Sequence, residues 1–81
     1  MKDEWRKVLS RRQEDVVALL WQAHQQDPSA FITGTQISLT LNIKDARRHV
    51  APARIKLRRL GWEIESGRKG FRLVEWKGDK P

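Results

Sequence analysis

The hydrophobic residues of this 81-residue chain first recur at the spacing of a helix. Between Ser10 and Gln26 they return every three or four positions, which is the period of one buried helical face. Ser10 is typical of a helix N-cap, and Gln13 three residues later completes a capping box. The pattern therefore predicts a long helix that ends before Asp27-Pro28-Ser29.

A shorter helix is predicted next, after a brief extended segment at Phe31-Ile32. Thr33 followed by Gln36 repeats the capping-box signature, so a second helix is expected to begin there. Its apolar positions carry it to about Leu41. Asn42-Ile43 then form the predicted turn.

A third helical stripe follows Asp45, a candidate N-cap, and contains a proline. Its apolar residues are spaced by four, three, four and three positions: Ala46, Val50, Ala53, Leu57 and Leu60. Pro52 removes a backbone donor and clashes with the preceding turn. Either one helix bends at Pro52, or a short helix ends near Val50 and a second begins with Pro52. The unbroken stripe favours one bent helix, closed by Gly61.

The last part of the chain alternates apolar and polar residues, as β-strands do. Two such runs, at 62–66 and 71–76, flank Gly67-Arg68-Lys69-Gly70. The two glycines suit a tight hairpin tip because positive φ angles are easy only for glycine. The full pattern predicts an α+β domain in which three helices form the core and a two-stranded hairpin covers it.

The charge of the chain favours a polyanionic partner. Seventeen Lys and Arg residues oppose ten Asp and Glu residues, giving a net charge of +7 and an isoelectric point near 10.6. A merely soluble basic protein would share that composition, but here cations lie together on the third helix and the hairpin tip. A helix and a hairpin that both present cations suit a nucleic-acid backbone.

Composition also excludes several classes of function. The chain has no cysteine for disulfides or thiolate metal sites, no signal peptide and no apolar run long enough to span a bilayer, so a cytoplasmic, nucleoid-associated protein without membrane contact is expected. No serine–histidine–acid order, inward carboxylate pair or glycine-rich phosphate loop is present, and His24 and His49 lack metal-ligand spacing. Neither an enzyme nor a cofactor is expected.

Four segments together resemble a known family: Phe31 to Ile37, Leu41 to Ile43, Leu57 to Ile64 and Lys69 to Leu73. They are similar to the winged helix-turn-helix domain, especially the N-terminal DNA-binding domain of biotin-repressor-type regulators and small phage and plasmid regulators. The resemblance implies three helices with a C-terminal two-stranded β-hairpin wing over residues 10–76, an N-terminal extension at 1–9 and a tail at 77–81. The segment from Ile43 to Gly61 departs from the family pattern, since it is longer and contains Pro52.

The resemblance implies sequence-specific binding of double-stranded DNA by a small transcriptional regulator. The helix after Ile43 would enter the major groove, and the wing would meet the backbone or minor groove. Arg47 and Arg48 are the best candidates for base contact. If the helix restarts at Pro52, Arg54 and Lys56 lie at its leading end and become the candidates instead. The candidate DNA-binding residues are Thr33, Thr35, Gln36, Lys44, Arg47, Arg48, His49, Arg54, Lys56, Arg68 and Lys69.

The four tryptophans leave alternatives open. A homodimer could form through residues 1–9, Trp21 and Trp76. On the same scaffold, Trp5, Trp21 and Trp76 could instead form a protein–protein adaptor surface. Aromatic side chains can also stack on unpaired bases, which would suit RNA or single-strand binding. Packing within the core is the simplest interpretation of Trp21 and Trp62.

Overall fold

A computed structural model describes residues 3–76 as a small α+β domain. Its elements, in chain order, are α1 (Asp3–Arg6), α2 (Arg11–Gln26), α3 (Gly34–Leu41), α4 (Arg47–Arg58), β1 (Trp62–Gly67) and β2 (Gly70–Glu75). The predicted bounds of α2, α3 and the hairpin are confirmed. The predicted tail at 77–81 and the first two residues lie outside the described residues.

Capping boxes begin both α2 and α3, as their sequences predict. The Ser10 hydroxyl accepts from the Gln13 amide at 3.3 Å, and the Gln13 side chain accepts from the Ser10 amide at 2.9 Å. Thr33 and Gln36 repeat this exchange at 3.1 and 3.0 Å. Each box satisfies amides that have no partner inside the helix, so the start of each helix is fixed locally.

Helix α4 is continuous through Pro52, which decides between the two alternatives that the sequence left open. Ala46 already has helical angles, and Asp45 Oδ1 accepts from the Arg47 amide at 3.0 Å, so Asp45 caps the helix as predicted. The helix ends at Arg58, two residues before the expected Leu60. Tighter three-residue turns then lead into Gly61, which has a φ of 86°.

The hairpin pairs β1 and β2 antiparallel, from Trp62↔Glu75 at its base to Gly67↔Gly70 at its tip. Ile32 adds a single bridge to the outer side of β2: the amides and carbonyls of Ile32 and Phe71 exchange hydrogen bonds of 2.8 and 2.7 Å. Gly70 has a φ of 119°, and a Cβ there would lie 2.3 Å from the Ile32 carbonyl oxygen. Of the two bracketing glycines, Gly70 is therefore the one that the tip requires.

An aromatic cluster lies at the base of the hairpin and comprises Trp5, Trp21, His24 and Trp62. Trp5 has no exposed surface, and its ring centroid lies 5.4 Å from that of Trp21 and 5.7 Å from that of Trp62. His24 Nδ1 lies 3.0 Å from the Leu73 carbonyl oxygen, which ties α2 to β2.

The burial of Trp5 corrects one expectation about the N-terminal extension. Trp5 and Leu9 belong to the hydrophobic core, so this extension packs against the rest of the domain. The expectation that Trp5 offers a surface to a second subunit or an adaptor partner is wrong, since its side chain is fully enclosed. Burial of large aromatic rings contributes strongly to a core this small.

Candidate nucleic-acid interface

Cations dominate one stretch of the chain that the fold brings to the surface. Between residues 44 and 59 the single acid is the capping Asp45, against seven cations: Lys44, Arg47, Arg48, Arg54, Lys56, Arg58 and Arg59. One carboxylate oxygen of Asp45 accepts a hydrogen bond from the Arg47 amide at the start of the helix. The field of this segment is therefore positive along its length.

Helix α4 divides into a core face and an outward face. Its buried residues are Val50, Ala53 and Leu57, which recur at helical spacing against α2 and β1. Arg47 and Arg48 are exposed in its first turn, so the continuous helix leads with these two arginines. The alternative in which Arg54 and Lys56 lead a restarted helix is wrong.

Two open grooves lie on either side of Arg47. The first, of about 650 Å³, separates the outward face of α4 from the hairpin and is lined by Arg47, Ala51, Arg54, Ile55 and Arg58 with Ser66 and Gly67 opposite. The second, of about 590 Å³, lies between the starts of α3 and α4 and the hairpin tip. Arg47, Gly67 and Phe71 line both grooves, so the two grooves adjoin.

The second groove collects residues from three elements. Thr33 and Thr35 come from the start of α3, Lys44 and Arg47 from the start of α4, and Arg68 from the hairpin tip. All five were predicted from sequence as DNA-binding residues. A concave surface that combines free helix amides with three cations is suited to phosphate oxygens.

The other predicted residues are placed less uniformly. Arg48, Gln36 and Lys69 are exposed but line neither groove, although Lys69 adjoins Arg68 in the two-residue tip. His49 is half-buried. Lys56 is directed at α2, where its Nζ donates to Gln13 Oε1 at 2.8 Å.

Thr33 and Gln36 already have partners within the chain. The Thr33 hydroxyl accepts from the Gln36 amide and lies 3.3 Å from Gln36 Oε1. Their first role is therefore the capping of α3, and Thr35, which is exposed, is the freer of the two threonines.

Glu63 is an important residue of this surface that sequence reasoning missed. Its carboxylate accepts from Arg54 Nε at 2.7 Å and from Arg58 Nη2 at 2.7 Å, and Oε1 also accepts from the Ile64 amide at 3.0 Å. Burial alone would raise the pKa of Glu63, but the hydrogen bonds from Arg58, Arg54 and the Ile64 amide outweigh it and lower the pKa below its ordinary value. Glu63 thus stays charged and holds both arginines against β1.

The contacts of Glu63 with Arg54 and Arg58, which we call the Glu63 clamp, have only a weak signal in the sequence. Arg54 and Arg58 are four residues apart on one side of α4, and the tight turn at Gly61 brings β1 back alongside them. An acid at the second position of the returning strand could have been paired with them. The angle between helix and strand, which decides the contact, is a tertiary property.

Six cations of this surface have no acidic partner. Within residues 3–76, no carboxylate oxygen lies within 4.0 Å of the charged groups of Lys44, Arg47, Arg48, Arg59, Arg68 and Lys69, whereas Arg54, Arg58 and Arg72 are all paired. Unpaired cations lose no salt bridge when they meet an anion. They form the available part of the positive surface, which we call the free cations.

Comparisons with protein-family models, with curated proteins and with solved structures found no match to this chain. Among residues 3–76, no helix combines the length and apolar character needed to cross a membrane. The same residues contain no group of three or more acidic or histidine side chains placed to hold a metal ion. The positive grooved surface is therefore the feature on which a functional proposal depends.

Proposed function

We propose that this chain is a winged helix-turn-helix protein that binds double-stranded DNA sequence-specifically as a small transcriptional regulator. The observation that carries the proposal is the second groove. There the starts of α3 and α4 and the wing tip present Thr35, Lys44, Arg47 and Arg68 on one concave surface. Residues from three separate elements converge on it.

The topology supports the fold part of the proposal. Two helices, α3 and α4, are joined by a short turn that starts at Asn42, whose φ of 54° is left-handed. Ile32 pairs with β2, which pairs with β1, so the extended segment before α3 adds to the hairpin. A helix-turn-helix whose second helix runs into a hairpin is the order expected of a winged helix.

In this proposal α4 enters the major groove by its N-terminal turn. Arg47 and Arg48 lead, and an Arg side chain can donate two hydrogen bonds to guanine O6 and N7. The continuity of α4 through Pro52 supports this orientation, because the turn that contains Arg47 and Arg48 is then the first turn of the helix.

The wing and α3 would fix the position of α4 through the DNA backbone. Arg68 and Lys69 project from the two-residue tip without acidic partners in the described chain, and they would contact phosphate or an adjacent narrow minor groove. The free amides at the start of α3, with Thr35, would bind a further phosphate.

The proposal is tested by selecting bound sequences from a random duplex library at near-physiological salt. We expect one recurring motif, with a palindrome if the protein binds as a dimer. In a competition experiment, we also expect unlabelled duplex to displace the labelled selected duplex from the protein far better than single-stranded DNA or RNA does. Stronger competition by single strands, with quenching of tryptophan fluorescence, would favour the single-strand alternative, and recovery of no motif would contradict sequence-specific binding.

A further inference from the structure

The outward face of α4 carries an apolar pair among its arginines. Ile55 is 61 % exposed, and Ala51, one turn earlier, is also exposed. Single exposed apolar residues are common on protein surfaces, so exposure alone indicates nothing. Ile55 differs from Val8 in lining a groove. It differs from Leu39, which is 78 % exposed in the second groove, in lying on α4 between the arginines and the wing.

The Glu63 clamp keeps this pair uncovered. Long arginine stems often lie over apolar neighbours and shield them from water. Here Arg54 and Arg58, two of the three arginines that line the groove with Ile55, are drawn to β1 by bonds of 2.7 Å to the Glu63 carboxylate. The Ile55 side chain therefore remains open on the surface that faces away from the core.

The chemistry of the major groove suggests what this apolar pair meets. Among the groups that the bases present there, the C5-methyl of thymine is the apolar one, and small aliphatic side chains contact it. An apolar protein surface is a poorer match, because covering Ile55 would also desolvate the surrounding arginines. Arg47, which lines the same groove and has no acidic partner within residues 3–76, attracts a DNA backbone.

We infer that Ile55, supported by Ala51, is a specificity-determining residue that packs against thymine C5-methyl groups in the major groove. The inference rests on the proposed function and adds to it a base class and a residue. Ala51 and Ile55 are about 6 Å apart along the helix axis, so the two can meet methyl groups on neighbouring base pairs.

The test replaces thymines of the selected duplex one at a time with deoxyuridine, which removes the methyl group and keeps every hydrogen-bonding atom. For the unmodified protein we expect one or two positions at which the replacement weakens binding about fourfold, the effect of one buried methyl group. In Ile55→Ala at least one of these positions should lose its sensitivity, and the replacement there should change affinity less than about twofold. Val8→Ala, another exposed apolar residue (42 %) outside both grooves, is the matched control and should retain the full deoxyuridine effect.

The outcomes separate this inference from the proposed function. Specific duplex binding with no deoxyuridine-sensitive position, or with every sensitive position still sensitive in Ile55→Ala, would overturn the role of Ile55 and leave DNA binding intact. Failure to bind any duplex would overturn both. Because Ile55 is mostly exposed, Ile55→Ala should keep the thermal unfolding midpoint of the unmodified protein, which shows that a lost methyl effect is not misfolding.

Discussion

The two ends of the β-hairpin use their side chains in opposite ways. At the base, Trp62 packs edge-on against Trp5 and Trp21 with centroid separations of 5.7 and 5.6 Å. At the tip, Arg68 and Lys69 are exposed and have no acidic partner within residues 3–76. Aromatic and cationic residues both serve nucleic-acid binding in other proteins. Here the aromatic end stabilises the domain, and the cationic end remains available for a partner.

Glu63 lies next to the base and marks the border between the two regions. It neutralises Arg54 and Arg58, and the Arg58 guanidinium in turn lies 4.5 Å from the ring centroid of Trp76. Trp76 therefore covers an arginine, and its role as a dimer contact stays a prediction. The arginines nearest the base belong to the structure, and those nearest the tip are free.

Trp5→Ala should have the largest effect on stability of any change proposed. Trp5 is fully enclosed, so truncation leaves a large cavity and should lower the free energy of unfolding by about 3–5 kcal/mol. Trp5→Phe is the control, since it keeps a ring and removes an indole N–H that has no acceptor within the described residues. Urea unfolding measures both, and a loss below about 1 kcal/mol in Trp5→Ala would contradict a structural role for the base.

Gly70→Ala tests the connection between the tip and the helices. A Cβ at Gly70 would meet the Ile32 carbonyl at 2.3 Å, and φ is 119°, so we expect a loss of about 2–4 kcal/mol. Gly67→Ala is the matched control at the other side of the tip, where a Cβ would meet nothing within 4 Å. Equal thermal unfolding midpoints for the two variants would show that the bridge from Ile32 to β2 does not hold the wing.

Glu63→Gln should have a smaller effect that depends on pH. Since the folded-state pKa of Glu63 is lowered, the ionised side chain stabilises the fold above its unfolded pKa of about 4.3, and this contribution is lost as pH falls through the lower folded value. We expect Glu63→Gln to cost about 1–2 kcal/mol at pH 7, modest because Arg54 and Arg58 are each 40 % exposed.

Unfolding of both proteins at pH 7 and in strong acid measures this difference. It should disappear in acid, where Glu63 is protonated in both the folded and the unfolded chain. A difference that is independent of pH would mean that the clamp acts through shape rather than charge.

Local signals predicted much of the fold. Ser10, Thr33 and Asp45 cap their helices in the structure as the sequence indicates, because capping depends on residues within one turn. The hairpin register follows from two short alternating runs around a two-residue tip. These features need no information from distant parts of the chain.

Contacts between distant elements could not be predicted in this way. The enclosure of Trp5 depends on α2 and on the hairpin base, and the direction of Lys56 depends on Gln13, 43 residues away. The candidate site shows the same division. Its exposed arginines could be identified from spacing on α4, whereas the Glu63 clamp required the angle between α4 and β1.

Paired charge reversals test most directly whether the free cations at the hairpin tip and the start of α4 bind duplex DNA. One double variant, Arg68→Glu with Lys69→Glu, changes the tip, and the control, Arg11→Glu with Arg12→Glu, changes two exposed arginines of α2. Each lowers the net charge of the chain from +7 to +3. Affinity for the selected duplex is measured across a salt series. For the tip variant we expect a loss of more than about tenfold at 0.1 M salt and a salt slope shallower by about two, and for the α2 variant a loss of less than about threefold. Equal losses in the two variants would contradict a DNA-binding surface formed by α4 and the hairpin.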